Sequence, residues 1–150
     1  MNNDKKALNL VKKAYQLLKQ DVYYDNVNLF LRNRIGEYES SDDFTNNIKI
    51  LANDVKDMAN ASFNLKNSRI NEMVKAIDVK CMPKSIENTL NSDTKVSFYT
   101  NKRSKDYYNI ESVNYFIDAP IELYILDVIW CLEVGAILDG ELNNDCLGNR

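Results

Sequence analysis

Over roughly the first eighty residues apolar side chains recur three or four positions apart, and near residue 95 the period changes to two. From Asp4 to Val22 the apolar positions are Leu8, Val11, Tyr15, Leu18 and Val22, with Lys5, Lys12 and Lys19 facing away, which predicts an amphipathic first helix. Asp25–Glu37 repeats the pattern through Val27, Phe30, Leu31 and Ile35, and Gly36 stands where a helix stop would fit. Ser40, Ser41, Asp42 and Asp43 each suit the cap of a third helix carrying Phe44, Ile48, Leu51, Val55 and Met58. A polar, Asn-rich stretch follows from Asn60 to Ser68. Helical spacing then returns at Ile70, Met73, Val74 and Ile77, so a fourth helix is expected over Arg69–Val79. Pro83 ends it, because proline pushes the preceding residue out of helical geometry.

Lys95–Thr100 and Ile110–Ile117 alternate as strands, with Val113, Tyr115 and Ile117 on one face and Asn114, Phe116 and Asp118 on the other. They predict a small antiparallel β-hairpin near residues 96–117. Pro120 lacks an amide proton and suits the first position of a helix, with Asp118 or Ala119 as cap and Glu122 in the first turn. From Ile121 to Leu138 apolar side chains occupy every face, which predicts a buried helix over 120–138 with Trp130 in the core. A membrane span competes for so apolar a run. Glu122, Asp127 and Glu133 decide against it, since each would cost roughly 2.5–3.5 kcal/mol near a bilayer centre. Leu142–Arg150 is polar enough to fray. The expected fold is mainly α (α+β), with four or five helices and one hairpin. Residues 1–94 form a helical region and 95–150 a hairpin-plus-helix region, packed as one compact unit that stops short at its C-terminus.

The 150 residues are 45% hydrophobic, enough for one domain that buries roughly two thirds of its unfolded surface. Charged residues at 27%, with two prolines and four glycines, argue against disorder. The chain has no histidine, which removes the usual general base of serine and cysteine hydrolases and the usual zinc ligand. Cys81, Cys131 and Cys146 are odd in number and widely spaced, so neither a disulfide framework nor a zinc site is indicated. Gly36, Gly135, Gly140 and Gly148 build no phosphate-binding loop. No secretory signal precedes the first helix, and a cytoplasmic protein is expected. Glu122 and Glu133 are eleven positions apart, roughly 16 Å along a helix, too far to share an ion. Capping the helix or pairing with Lys or Arg of the N-terminal helices suits them better. No catalytic and no metal-ligating residue is expected.

Charge singles out one candidate site. The connection of the predicted hairpin holds Lys102, Arg103, Lys105, Tyr107 and Tyr108, cations that meet phosphates interleaved with rings that stack on bases. Charges at a hairpin tip also serve simply to resist edge aggregation. In the last forty residues eight acids face only Arg150, so no duplex-coating surface lies there. The basic stripe of the first helix admits a nucleic-acid or membrane reading, but Asp4 and Asp21 dilute it and favour a solvated face.

The run FIDAPIELYILDVIWCLEVGAILD (Phe116–Asp139), followed by CLGNR (Cys146–Arg150), resembles the region just before the catalytic palm in bacterial defence-associated reverse transcriptases of the abortive-infection and unknown-group types. The specific part of the resemblance covers Val96–Arg150. It implies the N-terminal and fingers portion of an RNA-directed DNA polymerase with an antiviral defence role. A complete enzyme of this kind polymerises DNA with two metal ions, so Mg²⁺ is implied for it. The implied partners are an RNA or DNA template and nucleotides, met through the hairpin, and a palm region on this or another chain. The paired-aspartate box of the palm, Tyr-x-Asp-Asp or Phe-x-Asp-Asp, has no counterpart here, so the chain alone is expected to be inert and prone to self-association through uncovered apolar surface. The alternative is a non-enzymatic helical interaction or regulatory module whose acidic end meets a basic partner.

Overall fold

The architecture is mainly helical with one two-stranded antiparallel hairpin in this computed structural model, which describes residues 3–25, 29–60, 62–86 and 110–141. The order is α1 (Asn3–Tyr24), α2 (Leu29–Ser40), α3 (Phe44–Met58), a 3₁₀ turn (Leu65–Asn67), α4 (Arg69–Lys75), β1 (Asp78–Ile86), β2 (Ile110–Asp118), α5 (Ile121–Trp130), a π turn (Cys131–Gly135) and α6 (Ala136–Glu141). Two units result: a helical unit of Met1–Asp78 with Asp118–Arg150, and a hairpin unit of Val79–Ile117.

The helical unit gathers around α1. Its apolar positions Ala7, Val11, Ala14, Tyr15, Leu18 and Val22 fall three or four apart, so they form one buried stripe against α3 and α5. Val11, Leu51 and Ile125, one from each helix, have no accessible surface, and burying each stabilises the fold by roughly 1.5–3 kcal/mol. α2 adds Leu31 and Ile35. Its Arg32 reaches back to the carbonyls of Val22, Tyr23 and Asp25 at 3.2, 2.9 and 2.8 Å, satisfying acceptors that the end of α1 leaves without helical partners.

Three boundaries differ from the pattern, each for a local reason. Gly36 does not stop α2; it keeps a negative φ, and the helix runs on to Ser40. Asp43 precedes α3 without a side-chain cap, and Ser41 makes the turn instead, its hydroxyl accepting from the Asp43 amide at 3.2 Å. α5 starts at Ile121, one residue after Pro120, whose carbonyl accepts from the Leu123 amide at 3.0 Å.

Two larger corrections follow. α4 ends at Lys75, not near Val79, and Asp78–Ile86 is the first strand of the hairpin. Among the described residues β1 pairs with β2 alone, so Pro83 stands in β1 without breaking a ladder between two neighbours. β2 lies where the alternation puts it, whereas the expected partner strand Lys95–Thr100 falls outside the described residues. Of the three residues expected on its half-buried face only Val113 is half-buried; Tyr115 and Ile117 are exposed and Phe116 is half-buried.

The second correction concerns α5. Its burial is one-sided: Ile121, Ile125 and Ile129 point inward at i, i+4, i+8, while Trp130 is 56% exposed. After the π turn, α6 buries nothing, and Ile137 is 66% exposed. The run is apolar all round, but among the described residues only Ile121, Ile125 and Ile129 are fully covered; Leu123, Tyr124, Leu126, Val128 and Leu132 are half-buried. No described helix is long and apolar enough to cross a membrane.

Candidate functional site

The five residues singled out by charge, Lys102, Arg103, Lys105, Tyr107 and Tyr108, lie outside the described residues. Within the helical unit the structure brings together three other features: an ion-pair set that fixes α5, an apolar groove beside Trp130, and a lysine-rimmed cavity against α1.

The ion pairs account for arginines and acids that sequence alone leaves open. Arg34 of α2 holds Asp118 through Nη2 at 2.6 Å and Nε at 2.8 Å, and the Asp118 side chain is 12% exposed. A charge-assisted contact at that burial is worth more than a solvated surface pair, and it sits two residues before the helix flank at Pro120. Arg69, at the start of α4, binds Asp54 of α3 and lies 3.9 Å from Glu122 in the first turn of α5. Glu122 is thus paired with the N-terminal helices as its acidity suggested. Glu133 is exposed on the π turn. Arg32 and Arg34 are both engaged within the fold.

A groove of about 660 Å³ opens between α1, the end of α3 and the outer side of α5. Leu10, Val55, Met58, Ile129, Trp130 and Val134 supply most of its apolar wall, with Lys6 and Glu133 among its polar residues. Trp130 leans over the π turn, where a Cβ on Gly135 would stand 3.7 Å from its ring. Wide turns of this type recur at functional positions in helices. Ile137 and Leu138, beyond the turn, are exposed as well. Sequence reasoning assigns Trp130 to the core because it cannot tell a face covered by this chain from one left open.

On the other side of α1, Tyr15, Tyr38 and Phe44 form an aromatic cluster with ring centroids 5.5–6.0 Å apart. Both tyrosines are held well above the usual phenol range. For Tyr15 burial is the main cause and the nearby Glu39 carboxylate the second; for Tyr38 burial leads, Glu122 adds to it and Arg69 opposes it. Glu39 is drawn below the ordinary carboxylate value, chiefly by the Lys19 ammonium, which donates to it at 2.6 Å.

Among the described residues no three carboxylate or thiol groups stand together so as to hold a metal ion, so the Mg²⁺ implied by the family resemblance has no fitting donor set there. Cys81 and Cys131 are exposed, unpaired thiols. Searches of protein-family models, curated protein sequences and solved structures find nothing that matches this chain.

Proposed function

We propose that this polypeptide is the N-terminal and fingers portion of an RNA-directed DNA polymerase of the bacterial antiphage-defence type. In this reading it is cytoplasmic, performs no catalysis of its own, and receives a palm region, on the same or a partner chain, against the outer face of α5 and α6. One observation supports the reading. The segment that carries the resemblance is a helix anchored along Ile121, Ile125 and Ile129 whose other side, through Trp130, Val134, Ile137 and Leu138, is apolar and exposed. Soluble domains rarely leave a large aromatic and several aliphatic side chains uncovered together unless another polypeptide packs there. Lys102, Arg103, Lys105, Tyr107 and Tyr108 take the nucleic-acid contacts in this proposal.

The same exposed face favours a second reading, a non-enzymatic interaction module, since docking requires no chemistry. Polymerase assays separate the two. The chain alone, with Mg²⁺ or Mn²⁺ on primed or unprimed RNA, is expected to incorporate no deoxynucleotide, and the chain continued through a segment bearing paired aspartates is expected to incorporate. Incorporation by residues 1–150 alone refutes the division of roles; a stably bound partner without polymerase chemistry selects the interaction module. In the same preparations, replacing Lys102, Arg103 and Lys105 by Ala should weaken single-stranded RNA binding and lower its salt slope by about one for each phosphate that is no longer neutralised.

A further inference from the structure

Two turns apart on α1, Lys12 and Lys19 both line a cavity of about 420 Å³ that α1 forms with Glu39 of α2 and with Phe44 and Lys49 of α3. Its three lysines against one glutamate leave two positive charges in excess, in a protein whose net charge is −3. Lys19 is matched by Glu39 at 2.6 Å, whereas Lys12 and Lys49 have no ion-pair partner among the described residues. Tyr15 also lines the cavity and is itself only 6% exposed. Its hydroxyl is fully buried beside the Glu39 carboxylate, so the ring stiffens the cavity wall and the two lysines are left to face an anion.

We propose that this cavity binds a small phosphate-bearing solute of about mononucleotide size, clamped by Lys12 and Lys49, with the Phe44 ring against the organic body. The charge matches: a phosphate monoester carries roughly −1.5 to −2 at pH 7, and the lysine excess is two. Lysine ammoniums are point donors that meet phosphate oxygens from several directions, so no planar fork is required. The volume lies in the small-molecule range of roughly 300–1,000 Å³, and inorganic phosphate alone would leave most of it empty. Phe44 is fixed by Tyr15 and Tyr38, at 5.5 and 5.6 Å between centroids, which gives the body a preformed wall.

Calorimetric titration of the full chain with AMP tests this, with adenosine and inorganic phosphate as the two halves of the probe. AMP is expected to bind with an affinity that falls as salt rises, inorganic phosphate to compete weakly, and adenosine not to bind. The exposed pair Lys12→Ala/Lys49→Ala should leave the circular dichroism spectrum unchanged and lower AMP affinity at least tenfold. The proposal is overturned if millimolar AMP and phosphate release no heat, or if the lysine pair leaves the affinity unchanged. Lysine-dependent sedimentation with anionic phospholipid vesicles in place of AMP binding would overturn the solute assignment in favour of a lipid headgroup.

Discussion

Replacing Ile125 by Ala and, separately, Trp130 by Ala inverts the ranking that side-chain size suggests. Ile125 has no accessible surface and lies where α5 meets α1. The substitution removes three carbons, worth about 0.8 kcal/mol each in transfer alone, or roughly 2.4 kcal/mol, and the cavity left among packed neighbours raises the total to about 3–4 kcal/mol. For a chain of 150 residues that is a fall in melting temperature of roughly 10 °C. Trp130 is the larger side chain, but it is 56% exposed and borders an open groove, so its removal leaves no sealed void and should cost about 1 kcal/mol. Urea unfolding followed by far-ultraviolet circular dichroism measures both, since the chain's single tryptophan is lost in one variant. Native-state emission at a water-exposed wavelength should accompany the wild-type curve. A Trp130→Ala cost equal to or above that of Ile125→Ala would refute the one-sided burial of α5 and return Trp130 to the core.

Two further outcomes are expected. Gly36→Ala should stabilise the protein by about 0.5–1 kcal/mol, because the position is helical, its φ is not positive and a Cβ there meets nothing within 4 Å; a lower urea midpoint would show that α2 is not continuous through Gly36. Tyr15 and Tyr38 have folded pKa values raised above the unfolded value of 10.0, so the stability they contribute is complete below that pH and is lost as the pH rises past it. The wild type should therefore lose unfolding free energy above pH 10.0 more steeply than the Tyr15→Phe/Tyr38→Phe variant, and parallel profiles would remove burial as the cause.

Much of the helical unit is legible residue by residue. Leu8, Val11, Tyr15, Leu18 and Val22 identify α1, and Ile48 and Leu51 identify α3, since an apolar stripe at helical spacing depends only on neighbours within the same few turns. The cavity beside α1 is half legible: Lys12 and Lys19 stand out as a stripe, but Lys49, Glu39 and Phe44 join them only when α2 and α3 fold back. Neither the aromatic cluster nor the roles of Arg32 and Arg34 leaves a mark in the local pattern, because their partners lie between six and eighty-four residues away.

What the sequence determined by itself was the mainly helical class, the positions of α1, α3 and β2, and the start of α5 within one residue of Pro120. Tertiary structure decided the rest. Asp78–Ile86 reads as a helix end followed by a break and becomes a strand because β2, more than twenty residues further on, supplies its ladder of backbone partners. The apolar run after Pro120 reads as buried on every side, but only α1 and its neighbours cover it, along Ile121, Ile125 and Ile129. Hydrophobicity states what a side chain gains when covered; which side chains are covered depends on the surface that arrives, and that surface is set by residues distant in the chain.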